Sequence, residues 1–231
     1  MKRVGFADSI IFLKNPDPNE HFKISSISTF FKLVWKMFLI ILLIDLITVV
    51  IIVTPLKYFN LFPALKEISF TPINILKITL ILPIIEELIF RLPLKITNIN
   101  IITSISVITF IILNKWCFTK YYFAIAGSCL MFLFLYIGIR KNINFLYRST
   151  TFLKEHFREF FYVQALLFGF LHLANYNLDF KYIYLFPLVV FGYIISGIFW
   201  GYLRVRYSSG IYLCIVSHIA VNSLYCLVIF H

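Results

Sequence analysis

The chain has 231 residues, of which 61% are hydrophobic and 13% are charged. Ordinary soluble domains carry about 25% charged residues, so this composition excludes a separate soluble domain and indicates a polytopic membrane protein. The net charge of +11 is not gathered in one basic patch, because Lys and Arg lie at the ends of apolar segments and between them. That distribution is typical of charge beside anionic membrane lipid, so we expect no nucleic-acid partner.

Seven apolar segments follow a basic, proline-interrupted leader at residues 1–32. Each is close to the ~20 residues that an α-helix needs to cross a bilayer. We therefore predict an all-α, polytopic membrane helix bundle of about seven transmembrane helices (roughly six to eight), formed as one unit by residues 33–231. The predicted spans are 33–54, 75–94, 99–115, 121–139, 160–176, 183–203 and 209–230.

The segments outside these spans carry the signals for orientation. Lys and Arg are concentrated on the side that the N-terminus occupies, which predicts a cytoplasmic N-terminus. The leader is expected to lie partly at the membrane interface. Ser149, Thr150 and Thr151 are suited to cap an amphipathic surface helix from about residue 152. An Ile-, Phe-, Lys- and Asn-rich composition favours an AT-rich genome and hence a bacterial cell membrane.

Glu86, Glu87 and Arg91 lie inside the second apolar segment. An ionisable side chain at bilayer depth costs roughly 2.5–3.5 kcal/mol on insertion scales, so such residues usually face a bundle interior and mark function. Glu87 and Arg91 are four residues apart and share a helical face, whereas Glu86 is turned by about 100° from Glu87. One carboxylate can therefore pair with Arg91 and leave the other as a general base. The alternative is an ion pair that only holds helices together.

Two further pairs have helical spacing: Phe168 with His172, and His218 with Asn222. The ring of Phe168 is placed to pack beside His172 and to hold its orientation. His218 and Asn222 share a face, and both can donate hydrogen bonds to an oxyanion. For the histidine pairs the alternative is a polar contact between helices, which contributes about 0.6 kcal/mol on average.

Together these groups supply a base, a water-positioning imidazole and an oxyanion clamp on three spans that can converge. This combination favours acyl hydrolysis without a covalent intermediate. Neither a GxSxG nor an HExxH motif is present, so neither a serine hydrolase nor a typical zinc protease is indicated. Glu86, His172 and His218 could in principle hold a divalent metal, but we expect no cofactor. The four cysteines show no CxxC spacing and predict no metal or disulfide framework.

Other residues in the apolar segments bear on packing. Asp45 is expected either to pair with another helix or to line a functional cavity. Pro83 should disturb the second span and leave the carbonyl of Thr79 without its usual donor. Gly197 and Gly201 form a GxxxG step, which indicates close packing of helices.

Read in order, EExxxR at 86–91, FxxxH at 168–172 and HxxxN at 218–222 resemble the motifs of the CPBP family. That family, also called Abi, comprises CAAX proteases and bacteriocin-processing enzymes. The segment 191–224 (FGYIISGIFWGYLRVRYSSGIYLCIVSHIAVNSL) is also similar to the two terminal core helices of the family. The similarity covers roughly residues 75–228, the predicted catalytic core.

The resemblance implies an intramembrane endopeptidase of the glutamate type. Glu86 would activate water together with His172. His218 and Asn222 would stabilise the tetrahedral oxyanion. Supporting residues that shape the site would be Glu87, Arg91 and Phe168.

The resemblance also frames the substrate and the alternatives. We expect a peptide or a lipidated protein as substrate, met at the membrane lipid. A non-catalytic bacteriocin self-immunity or binding protein on the same scaffold is the alternative. A proton-coupled transporter is a third reading, without an inverted repeat to support it.

Overall fold

The computed structural model describes helices joined by short connections, which confirms the predicted all-α fold. Within the described residues there is no β-strand, and backbone pairing outside helices is limited to isolated bridges. The described residues are 6–19, 22–24, 26–66, 71–116, 121–141 and 143–229. The helices are α1 (Phe6–Lys14), α2 (Ile27–Thr48), α3 (Thr54–Tyr58), α4 (Pro72–Leu76), α5 (Leu82–Phe90), α6 (Asn98–Trp116), α7 (Tyr121–Lys141), α8 (Ile143–Glu155), α9 (Phe157–Leu171), α10 (Phe186–Val189), α11 (Phe191–Arg206) and α12 (Gly210–Ile229).

All seven predicted spans fall mainly on helical residues. In the part of the chain that the structure describes, four helical stretches are long and apolar enough to cross a membrane, and Tyr122–Gly138 is a shorter apolar helix. The protein is therefore an integral membrane helix bundle. The four stretches are Ile27–Tyr58, Asn98–Lys115, Phe180–Arg206 and Gly210–Val228.

The first span begins earlier and runs longer than predicted. Ser26 caps α2, because its hydroxyl accepts a hydrogen bond from the amide of Thr29 at 3.2 Å. From Thr48 the helix continues through a π-helical turn at Val49–Val53 into α3. The helix of the first span therefore begins at Ile27, within the segment assigned to the leader.

The prediction of a helix cap at Ser149–Thr151 was wrong. α8 begins at Ile143, so these residues lie inside the helix. A Ser or Thr side chain caps a helix only where its own residue stands at the helix start, and the INFLYR segment before these residues is already helical.

α11 is the central helix of the bundle and packs against α2, α9 and α12. A Cβ added to Gly201 would lie 2.8 Å from Cε2 of Phe161. A Cβ added to Gly197 would lie 3.2 Å from Cδ1 of Phe168, so both glycines allow α9 to approach α11. The GxxxG step is thus a site of close helix packing, as predicted.

α1 packs on the end of α11. Nη2 of Arg206 lies 2.6 Å from Oδ1 of Asp8, and the hydroxyl of Tyr202 donates to Oδ2 of Asp8 at 2.9 Å. Phe12 makes edge contacts with Phe161 and Tyr202 at ring-centroid distances of 5.5 and 5.3 Å. The leader thus contributes a helix to the packed structure.

The carboxyl ends of α5 and α11 lie side by side, and a basic side chain at each end donates hydrogen bonds to backbone carbonyls at the other. Arg204 of α11 donates from Nε to the carbonyl of Arg91 at 3.0 Å and from Nη2 to that of Leu92 at 3.2 Å. Lys95, just beyond α5, donates from Nζ to the carbonyls of Tyr207 and Ser208, each at 2.9 Å. The last carbonyls of a helix lack partners within it, so this exchange fixes α5 relative to α11.

Asp45 of α2 accepts a hydrogen bond from the hydroxyl of Tyr225 on α12. This contact agrees with the interpretation of Asp45 as a partner for another helix.

Candidate active site

Glu86 and Glu87 lie in α5, which follows a π-helical turn at Lys77–Ile81. Pro83 occupies the first turn of α5, where a missing N–H is tolerated. The disturbance that Pro83 predicts is present, but a π turn pairs residues five apart. The carbonyl opposite Pro83 is therefore that of Ile78 rather than that of Thr79.

The side chain of Asn222 supplies the donor for this carbonyl, since its Nδ2 lies 3.0 Å from the oxygen of Ile78. α12 is thereby joined to the point at which the chain entering α5 changes its winding. Asn222 does not meet His218 at a shared acceptor here, but its second amide N–H remains available for another hydrogen bond.

The imidazole of His218 lies between two carboxylates. Its Nδ1 is 2.9 Å from Oε1 of Glu87, and its Nε2 is 3.6 Å from Oε2 of Glu86. A carboxylate of Glu87 can only accept, so Nδ1 of His218 carries a proton and Nε2 faces Glu86. The side chain of Glu87 is fully buried, whereas that of Glu86 is 17% exposed.

Arg91 is a buried cation beside the carboxylate of Glu87. Its Nε is 3.5 Å from Oε2 of Glu87, which agrees with the predicted i,i+4 pair. Its guanidinium carbon lies 3.9 Å from the centre of the Phe168 ring, a cation–π contact. Arg91 is 1% exposed, so its positive charge is held within the bundle beside Glu87.

His172 directly follows the last residue of α9, Leu171, whereas the predicted span continued to about residue 176. After the end of α9, the backbone continues as a 3₁₀ turn at His172–Asn175. Nδ1 of His172 lies 2.8 Å from the carbonyl oxygen of Phe168, which can only accept, so Nδ1 is the protonated nitrogen and Nε2 the basic one.

The ring of Phe168 connects the two histidines. Its centroid is 4.7 Å from that of His172 and 5.9 Å from that of His218, with edge-on geometry in both pairs. Among the described residues no hydrogen bond joins His172 directly to Glu86 or to His218. The structure thus gathers Glu86, Glu87, Arg91 and His218 in direct contact and links His172 to them through an aromatic ring.

Two aromatic residues of α11 complete the site, and the sequence motifs do not include them. Tyr193 stacks on His172 at 4.0 Å with an interplanar angle of 19°, and Trp200 stacks on His218 at 4.1 Å and 25°. Tyr193 and Trp200 are seven residues apart and lie on the glycine-bearing face of α11 with Gly197. This spacing was the signal that could have identified them.

Two contacts occupy the carboxylate of Glu87 among the described residues. Among the described residues no group of three or more His, Cys, Asp or Glu side chains is arranged to hold a metal ion. Nδ1 of His218 is bonded to Glu87, and the second oxygen of Glu87 faces Arg91.

One of three comparisons with known proteins found a match. Residues 68–224 match the sequence model of the family described as type II CAAX prenyl endopeptidase Rce1-like. The matched region is more than half of the chain and includes all the motif residues from Glu86 to Asn222. Searches of the curated proteins and of the solved structures found no match to this chain.

Proposed function

This chain belongs to the Rce1-like family of type II CAAX prenyl endopeptidases, and we propose that it cleaves a peptide bond near the lipidated residue of a membrane-associated peptide. Membership confirms the resemblance to the CPBP family. It makes the protein a hydrolase of the protease class and does not favour the non-catalytic immunity scaffold. The lipidated substrate is proposed because an active site inside a membrane bundle is reached most directly by a peptide already anchored in lipid.

The observation that carries the assignment of residues is the unequal exposure of two adjacent carboxylates around one imidazole. Glu87 is fully buried and held by His218 and Arg91, whereas 17% of the Glu86 side chain is exposed. Of the two, Glu86 is the one that can reach water and a substrate. We therefore assign Glu86 as the general base.

In the proposed reaction Glu86 accepts a proton from a water molecule while the water oxygen attacks the scissile carbonyl carbon. A carbon–oxygen bond forms, and the carbonyl electron pair moves to oxygen to give a tetrahedral oxyanion. When the carbon–nitrogen bond breaks, Glu86 returns the proton to the leaving amine. His172 orients the water through Nε2, the nitrogen that its bond to Phe168 leaves basic.

His218 and Asn222 are assigned to the oxyanion. Glu87 holds Nδ1 of His218, so that Nε2 of the same ring serves as one donor to the developing negative charge, and the second N–H of Asn222 adds another. Glu87, Arg91 and Phe168 shape the site by holding His218 and the end of α9. This sequence of steps requires no cofactor.

The test uses purified protein in detergent and a prenylated peptide that ends in a CAAX sequence, with products identified by mass spectrometry. We expect wild type to release the three terminal residues and Glu86→Gln to lower the rate at least ~100-fold. Glu159→Gln, an exposed glutamate of α9, is the matched control and should retain the wild-type rate.

Equal cleavage by wild type and Glu86→Gln would remove Glu86 from the mechanism. Cleavage of the unprenylated peptide at the same rate would instead reject the lipidated substrate while leaving the peptidase assignment in place.

A further inference from the structure

α11 carries none of the motif residues, yet it contacts both histidines of the site. The rings of Tyr193 and His172 stack at 4.0 Å, and those of Trp200 and His218 at 4.1 Å. Both pairs are close to parallel, with interplanar angles of 19° and 25°. A stack at this distance restricts rotation of the imidazole about its Cβ–Cγ bond, because tilting either ring brings the atoms of the two rings into collision.

The ring of Trp200 is itself fixed from behind. Its Nε1 donates to Oγ of Ser217 at 3.0 Å, and the backbone carbonyl of Trp200 accepts from Sγ of Cys214 at 3.0 Å. Ser217 is fully buried and lies one residue before His218. The indole of Trp200 and the imidazole of His218 are therefore both held by the same turn of α12.

The ring of Tyr193 is also supported, since it packs against the cluster formed by the buried residues Tyr176, Val189 and Val190. Tyr176 follows the 3₁₀ turn that begins at His172. Trp200 is thus joined by a hydrogen bond, and Tyr193 by packing, to the segment that carries the histidine on which it stacks.

Phe168 contacts both of the stacked pairs, Tyr193 with His172 and Trp200 with His218. Its ring meets His172, His218 and Trp200 edge-on, with centroid distances of 4.7, 5.9 and 5.8 Å. Gly197 of α11 has no side chain and leaves room for this ring. Each imidazole is therefore held by one stacked ring and one edge-on ring.

We propose that Tyr193 and Trp200 are positioning residues that set the ring planes of His172 and His218, so that Nε2 of each points to the reacting water or oxyanion. This inference rests on the proposed function. It predicts an effect on the chemical step rather than on substrate binding, because neither residue is required to touch the peptide.

The experiment compares Tyr193→Leu with Tyr193→Phe, and Trp200→Leu with Trp200→Phe, using the prenylated CAAX peptide. The Leu variants should lower kcat roughly 10- to 100-fold with KM changed less than about threefold, since a small misplacement of a catalytic group has effects of that size. The Phe variants keep an aromatic plane and should recover most of kcat. Tyr212→Leu and Trp35→Leu, which replace exposed aromatic residues, should match wild type.

A wild-type kcat in the Leu variants would overturn the inference, and so would Phe variants as impaired as the Leu variants. A Leu variant that fails to fold leaves the comparison of the Phe variants with wild type as the test.

A second measurement separates this inference from the proposed function. Stacked rings shift the NMR signals of the imidazole protons, so Tyr193→Leu should move the signals of His172, and Trp200→Leu those of His218, whether or not any peptide is cleaved. Unchanged signals would reject the positioning role even if Glu86→Gln abolishes cleavage. Shifted signals with no cleavage by wild type would reject the peptidase proposal alone.

Discussion

Nδ1 of His218 donates to Oε1 of Glu87 across 2.9 Å, and both side chains are almost completely removed from solvent. A buried carboxylate is stable only when it is paired, and Glu87 has the imidazole on one oxygen and Arg91 at 3.5 Å from the other. Glu86, the next residue, lies at the edge of this group. We therefore propose different roles for the two adjacent glutamates, a structural role for Glu87 and a chemical role for Glu86.

Glu87→Ala should destabilise the protein by about 3–5 kcal/mol, because it leaves Arg91 buried without its partner. Glu86→Gln should change stability by less than about 1 kcal/mol while abolishing the proposed activity, since its side chain is partly exposed. Both effects are read from unfolding in the same detergent at matched protein concentration. Equal destabilisation by the two substitutions would contradict this division of roles.

The helices, the motif residues and the convergence of those residues could be predicted from the sequence. Ionisable groups inside apolar helices are costly in contact with lipid, so they face the interior of the bundle. The Glu87–Arg91 contact followed directly from helical spacing. The stacking residues could not be predicted in the same way. Aromatic residues make up 19% of the chain, so only their seven-residue spacing around Gly197 distinguishes Tyr193 and Trp200 from rings that face lipid.

Helix ends were the other feature that sequence did not reveal. A π turn before Pro83 and the end of α9 at His172 depend on tertiary contacts, such as the bond from Asn222 to the Ile78 carbonyl. Local patterns of hydrophobicity carry little information about such departures from regular winding.

Arg204 holds the carboxyl end of the helix that carries both glutamates. Arg204→Met would leave the carbonyls of Arg91 and Leu92 without this donor, and each buried unsatisfied group costs about 1–3 kcal/mol. We expect a clear loss of stability, with partial recovery in Arg204→Lys, which keeps the charge but not the fork of N–H groups. Arg158→Met, at an exposed position of α9, is the control. Equal unfolding midpoints for the Arg204 and Arg158 variants would exclude a capping role.

Lys95 lies outside the spans and donates to the carbonyls of Tyr207 and Ser208, and this contact depends on pH. Burial, with a smaller effect of the Arg204 guanidinium, lowers the pKa of Lys95 from 10.5 to about 8. Between these values the unfolded chain binds more protons, so the contribution of Lys95 to stability rises with pH. A neutral amine still donates to both carbonyls. The difference in thermal midpoint between wild type and Lys95→Met should therefore grow as pH rises from about 8 toward 10. A difference that shrinks over this range would contradict the assignment.

The hydrogen bond from Tyr225 to Asp45 joins α2 to the helix that carries His218. A double-mutant cycle with Asp45→Asn and Tyr225→Phe should give a coupling energy of about 0.6–1.7 kcal/mol, the range from average to strongest for polar contacts between membrane helices. Unfolding free energies of the four proteins provide the measurement. Strictly additive effects would show that the two side chains do not stabilise one another.

Gly169 permits the contact between α9 and α11 next to Phe168. A Cβ added there would lie 3.1 Å from the backbone nitrogen of Ile194 and 3.3 Å from its Cα, so the two helices must separate to accept it. Gly169→Ala should cost about 1–3 kcal/mol of stability. It should also lower kcat by up to ~100-fold, because Phe168 moves away from both histidines.

Gly138 in α7 offers the matched control, since a Cβ there meets no atom within 4 Å. Gly138→Ala should leave kcat unchanged and raise stability by about 0.5–1 kcal/mol through helix propensity. If Gly169→Ala also keeps the wild-type kcat, then the approach of α9 to α11 does not determine the geometry of the site. If kcat falls while KM and the prenylated-peptide affinity are preserved, the spacing of these two helices controls the chemical step.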